Sequence, residues 1–257
     1  LRVVGSLAWI VLAACSTLVP TPQGLVPSAA QAAQAWERVL ERFVNSQGEV
    51  DFAALAANRA DLDTTLRHIA HTPLDTLHGR AEKLAHMINA YNALSMANVV
   101  DAGIPANHAG FAKVRFFVLR KLVIGGTAMS LYTFENDVIR PFTRSIGEPR
   151  VHFALNCSAV SCPVLPRTPF GAASLDAELE RETRGFFARP ENFRVDAASR
   201  SVWLSEILKF YPEDFVPEHG SNLIAYANRY APAPAPLDWE VRFTPYDWTV
   251  ANSRRPH

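Results

Sequence analysis

Apolar residues recur at helical spacing through much of the chain. Over residues 31–45, Ala33, Trp36, Val39, Leu40 and Phe43 fall three or four apart, which predicts an amphipathic helix. After a turn at Gly48, Leu55, Leu62, Leu66 and Ile69 predict a second helix over 52–70. The strongest pattern is 81–100, where Leu84, Met87, Ile88, Tyr91, Leu94 and Ala97 face a common core. Asn89 and Asn92 interrupt it three residues apart, so they share a face. Asparagine is a mediocre helix former, and two in mid-helix ask for a reason. Either their amides tie neighbouring loops to the helix, or one lines a site and holds a base or an oxyanion.

Strand signals follow. Residues 116–124 are rich in β-branched and aromatic side chains, Gly125-Gly126 turns the chain, and 128–131 returns it, which predicts a hairpin. Thr133 suits the N-cap of a short helix ending at Pro141, with Glu135 in its first turn. Residues 150–155 read as a buried strand and 175–187 as another amphipathic helix. A second hairpin is expected from 193–195 and 201–204. Ser205 starts a short helix towards Tyr211, and 223–230 forms the last one. Ala231 to Pro236 is an Ala/Pro spacer ahead of Trp239, Tyr246 and Trp248. The alternation of helices with short hairpins predicts an α+β fold. It would be a single compact domain over 31–250, with several helices packed on short, mainly antiparallel β-strands, and a polar tail over 251–257.

The first residues carry a different pattern. Arg2 precedes an apolar run from Val3 to Ala14, the length of a signal h-region and short for a membrane span. It ends in Leu12-Ala13-Ala14-Cys15, which looks like a bacterial lipobox whose cysteine carries the lipid. Residues 1–14 are then a lipoprotein-type signal peptide and Cys15 anchors the protein. Ordinary secretion is the rival, with A-x-A sites at 30–32 and 33–35. Both place the protein outside the cytoplasm. Ser16 after Cys15 resembles lipoproteins of the outer membrane, so a lipid-anchored periplasmic protein is expected. Pro20, Pro22 and Pro27 make 15–30 a tether.

Composition narrows the chemistry. Lys+Arg and Asp+Glu both number 25, so a strongly basic nucleic-acid binder is not expected. Apolar residues make up 49%, enough for a real core. Three cysteines exclude a disulfide-dense scaffold. No glycine-rich phosphate loop is present, and His68 with His71 lack a third ligand. Neither cofactor nor metal is expected.

The chemistry concentrates in Val151 to Pro163. If 151–155 is a strand, His152 shares a face with Ala154 and Asn156, and Cys157 opens the turn beyond. Three readings stay open. Cys157 is a nucleophile with His152 as base and Glu135 orienting it, while Asn156, Asn89 or turn amides hold an oxyanion. Alternatively Cys157 and Cys162 form a disulfide in an oxidising compartment, stabilising by about 2–3 kcal/mol in the chain-entropy model. Or His152, Cys157 and Cys162 are part of a metal site, although H-x4-C-x4-C is not a familiar zinc spacing.

At these residues the chain resembles the bacterial branch of domain-of-unknown-function family 547. The similarity runs in order through Gly48 to Leu55, Lys83 to Ala93, Leu131 to Glu135 with Ile139 to Pro141, and His152 to Cys157 with Ser161 to Pro163. It continues through Leu204-Ser205, Tyr211 to Phe215 and Tyr246 to Trp248. Two departures stand out: His86-Met87 where the family usually shows two aromatics, and Asn136 where it usually shows His. With the lipobox, the resemblance implies an uncharacterised envelope lipoprotein. One reading is a cysteine-dependent hydrolase or acyl transferase using Cys157, His152 and Glu135 on an unknown envelope substrate. The alternative is a non-catalytic binding or scaffold domain stapled by Cys157 and Cys162, meeting an unknown protein partner.

Overall fold

The computed structural model describes residues 16–254. The signal segment and Cys15 lie outside the described residues. Helix α1 (Ala29–Phe43) begins at a capping box, in which Ser28 Oγ accepts from Gln31 N–H and Gln31 Oε1 accepts from Ser28 N–H. The expected helix over 52–70 is two: α2 (Phe52–Ala57) and α3 (Ala60–His71). Asn58 breaks it, donating its side-chain amide to the Ala54 carbonyl at 3.0 Å and leaving helical dihedrals. Helix α4 (Arg80–Asp101) is buried over most of its circumference from Leu84 to Val99, so it forms the axis of the domain. Helices α1 to α3 pack beside it in the larger hydrophobic core.

The hairpin over 116–131 differs from expectation in its first half. A short helix α5 (Phe111–Val114) runs on through a π-type turn at Arg115–Leu119. Strand β2 starts only at Arg120 (Arg120–Ile124) and pairs antiparallel with β3 (Thr127–Met129). The helical turn lets two consecutive rings pack inward: Phe116 lies 4.0 Å from the His108 ring, and Phe117 lies 6.0 Å from Trp248. A strand would send them to opposite faces. Strand β1 (Thr17–Leu18) adds to β2 in parallel. Arg67 Nη1 also donates to the Gln23 carbonyl at 3.1 Å. The segment expected as a tether is therefore docked on the domain over these residues.

Ser130, not Thr133, caps α6 (Leu131–Thr133). The helix continues past Pro141 through a π-type turn at Phe134–Ile139 into α7 (Arg140–Ile146). Arg140 N–H reaches back five residues to the Glu135 carbonyl, which accommodates the proline that follows. The strand expected over 150–155 is absent: Pro149–Phe153 is a 3-10 turn. It buries Val151, His152 and Phe153 together, where an alternating strand would divide them between two faces.

Helix α8 (Leu175–Phe187) matches expectation. The second hairpin is β4 (Phe193–Asp196) with β5 (Ser201–Ser205). Beyond it come α9 (Ile207–Phe210), α10 (Leu223–Ala227) and β6 (Glu240–Thr244), which joins β5 in parallel. Helix α10 is shorter than expected because the Asn228 side chain bonds both N–H and C=O of Ala235, folding the Ala/Pro spacer back. Each sheet thus combines one antiparallel and one parallel pairing. The class is α+β. A second core, rich in Phe153, Phe186, Phe187, Phe215 and Tyr226, lies under the second sheet. The final segment then returns across the loop after Phe153: Val160 N–H donates to Thr249 C=O and Ala251 N–H to Ser158 C=O. That crossing carries Tyr246 and Trp248 to the cysteines.

Candidate active site

Construction begins at Asn92, which is buried on α4. Its Oδ1 accepts from Asn156 N–H at 2.8 Å, and its Nδ2 donates to Ala154 C=O at 3.0 Å. Asn156 extends the anchoring, accepting from Ser158 N–H at 2.7 Å and donating to Pro163 C=O at 2.7 Å. These side chains satisfy the backbone of a buried irregular loop, which has no ladder to satisfy it. Asn92→Ala leaves two such groups unpaired and is expected to cost about 2–4 kcal/mol, read from the denaturant midpoint.

The anchored loop brings its two cysteines together. Both are free thiols, with Sγ atoms 2.9 Å apart. A disulfide spans about 2.05 Å, so the expected bridge is not formed here. Cys162 Sγ accepts from Cys157 N–H at 3.1 Å and lies 3.1 Å from the Tyr246 hydroxyl, whereas Cys157 Sγ lies 3.7 Å from that hydroxyl. Donors therefore converge on Cys162. Burial opposes ionisation of Cys162, yet the Cys157 thiol, the Tyr246 hydroxyl and backbone amides together lower its pKa. The hydrogen bond with Cys162 and burial push the Cys157 thiol well up. Burial beside the two sulfurs also keeps Tyr246 protonated, hence a donor.

Glu135 faces the pair from the π-type turn. Its oxygens accept from Tyr91 at 2.7 Å and Tyr211 at 2.8 Å. Burial, reinforced by the Glu135 charge, pushes both phenols up and holds them as donors. His152 is oriented by a different carboxylate: its Nε2 lies 2.7 Å from Asp214 Oδ2, and its ring stacks on Tyr211 with centroids 4.8 Å apart. Asp214 is itself bound by Arg140 Nε at 2.8 Å and by Arg144. Burial works against its charge, but the His152 and arginine contacts win and hold the carboxyl well below the usual range.

The structure thus places Cys157, His152 and Glu135 on one cleft of about 70 Å³, together with Cys162 and the three tyrosines. Among the described residues, no hydrogen bond joins His152 to Glu135 or to either sulfur. Asn156 and Asn92 stand behind the cleft as loop anchors. Asn89 lies elsewhere, accepting from Phe170 N–H and the Trp36 indole and donating to Phe170 C=O. Asn136 accepts from Arg140 and does not line the cleft. Among the described residues, no three His, Cys, Asp or Glu side chains are placed to hold a metal ion.

Sequence reasoning missed Asp214 as the partner of His152, the tyrosine bracket of Glu135, and Tyr246 as the donor to sulfur. The available signals were the acidic Glu213-Asp214 step inside an aromatic segment and the closing Tyr246-Asp247-Trp248. The comparison with known families covers part of the site. Residues 74–187 match the family described as "Protein of unknown function, DUF547". The expected resemblance to DUF547 holds over that stretch. It contains α4, Glu135, His152 and both cysteines, while Tyr211, Asp214 and Tyr246 lie beyond it. No curated protein and no solved structure matches the chain.

Proposed function

We propose that this DUF547 protein is a cysteine-dependent hydrolase or acyl transferase of the cell envelope. The observation that carries the reading is one narrow cleft shared by a donor-surrounded thiol, a histidine oriented by a buried carboxylate, and a second carboxylate. In this reading Cys162 supplies the attacking sulfur and Cys157 steadies it as a thiol donor. The sulfur attacks an acyl carbon, a thioester forms, and the bond to the leaving group breaks. His152, held by Asp214, delivers the proton to the leaving group. It then takes one from the water, or from the acceptor nucleophile, that cleaves the thioester. Glu135 and its tyrosines bind the substrate and keep the cleft polar at its floor. A cleft this small admits an acyl group end-on.

The envelope setting is supported by Leu12 to Cys15, through lipidation of Cys15. Mass spectrometry of the mature N-terminal peptide from membranes tests it. For the chemistry, an acyloxymethyl-ketone or chloromethyl-ketone probe is expected to label one cysteine of the cleft in native protein. His152→Ala is expected to slow turnover of an aryl ester at least 100-fold, because the imidazole moves the proton in both half-reactions. Equal aryl-ester turnover by native and His152→Ala protein would sink the reading.

A second reading is favoured by the 2.9 Å approach of the sulfurs. On oxidation they would close a small loop and leave a stapled binding domain without a nucleophile. Non-reducing peptide mapping of protein from the envelope separates the two.

A further inference from the structure

A second cavity of about 220 Å³ lies between α1, α3 and α4 and shares no lining residue with the thiol cleft. Its walls include Trp36, Ile69, Phe170 and the alanines of α1 and α4. Two histidines, His68 and His86, also line it, with rings edge-to-face at 5.9 Å.

The polar groups of this cavity are mostly spoken for. Asn89 bonds Phe170 and Trp36 through both its oxygen and its nitrogen, and the Thr65 hydroxyl donates to Asp61 C=O at 3.0 Å. The exception is His86, whose Nε2 is buried without a hydrogen-bond partner. Burial, with His68 beside it, lowers the His86 pKa to about 4, and Glu82 opposes this weakly. His86 is therefore a neutral imidazole at pH 7. Among the described residues, no lysine or arginine lines the cavity, and Glu82 is the one charged residue at its rim.

We infer that this cavity is a binding site for a small neutral aromatic molecule carrying one hydroxyl, a phenol, hydrogen-bonded to His86. Size sets the scale: an apolar cavity of about 150 Å³ holds benzene, so 220 Å³ takes one ring with a short substituent. The indole, the Phe170 ring and the two imidazoles favour an aromatic body over an aliphatic one. Charge sets the class. An anion finds no permanent cation to pair with, and a cation would leave water for mostly apolar walls. A hydroxyl satisfies the one polar atom left unpaired.

The test titrates ¹⁵N-labelled full chain at pH 7.5 with phenol and, separately, toluene. It follows the Trp36 indole N–H resonance, identified with Trp36→Phe. Phenol is expected to shift it saturably and to bind roughly ten-fold more tightly than toluene, the usual worth of one buried hydrogen bond. His86→Leu is expected to erase that difference while keeping toluene binding. Ala33→Phe, at an exposed position on α1 at the cavity wall, is expected to abolish both. The inference is overturned if phenol causes no saturable shift, if phenol and toluene bind native protein equally, or if phenol binding survives Ala33→Phe. The last variant keeps the test decisive should His86→Leu fail to fold.

Discussion

Asp214→Ala is expected to destabilise the domain by about 3–5 kcal/mol, the cost of stranding buried charges when one partner is removed. The Asp214 side chain is 4% exposed, that of His152 2% and that of Arg140 10%. Asp214 is where the three meet, so alanine leaves a guanidinium and an imidazole facing each other without their common carboxylate. Urea unfolding of native and variant protein measures this, and a loss under about 1 kcal/mol would contradict it. The pH dependence follows with a definite sign. The carboxyl is held below its ordinary value in the folded state. Its stabilisation is therefore full above the unfolded pKa of about 3.9, and is lost as pH falls from there towards the folded pKa.

Two histidines act in a higher window. Burial lowers His86 and His108 to about 4 in the folded protein, against the unfolded value of 6.5. Below about 6.5 the unfolded chain binds protons that the folded one refuses, so stability falls as pH drops from about 6.5 to 4. Asp214→Asn is expected to keep this upper decline and lose the step below about pH 4. Denaturant midpoints across pH 3 to 8 read both.

The second large effect concerns the thiols. Cys162→Ala is expected to leave only slow alkylation of the cleft at pH 7, because burial and the Glu135 charge still hold the remaining Cys157 thiol up once the Cys162 hydrogen bond is gone. Tyr246→Phe removes the hydroxyl 3.1 Å from Cys162 Sγ and is expected to slow alkylation of Cys162 roughly ten-fold or more at pH 7. Cys157→Ala keeps Cys162 reactive but moves its profile to higher pH, since one donor to the sulfur is gone. Iodoacetamide rates from pH 5 to 9, resolved by peptide mass spectrometry, give all three. Faster labelling of Cys157 than of Cys162 in native protein would overturn Cys162 as the attacking sulfur.

The sequence by itself determined the helices that bury one continuous stripe. The helices α1, α4 and α8 begin and end within about two residues of where their apolar spacing places them. Such periodicity is a local property, set by 3.6 residues per turn and by caps such as Ser28. The α+β class and the second hairpin were legible for the same reason, and the resemblance to DUF547 through its ordered motif blocks. Glu135, His152 and Cys157 could be singled out as candidates there, since carboxylate, imidazole and thiol are rare in apolar segments.

Only the tertiary structure decided how those groups pair. The segment 150–155 reads as a strand because its composition is β-like, yet Asn92 and Asn156 supply side-chain bonds that let it turn tightly instead. With the turn goes the strand face that His152 was expected to share with Ala154 and Asn156. Asp214 reaches His152 across 62 residues, and Tyr246 reaches Cys162 across 84. The parallel strand β6 and the final crossing segment bring Tyr246 there. Contacts at that separation depend on how layers stack and where chains cross. A local spacing carries no record of them, because any residue of the right chemistry elsewhere in the chain would satisfy the same buried charge or sulfur.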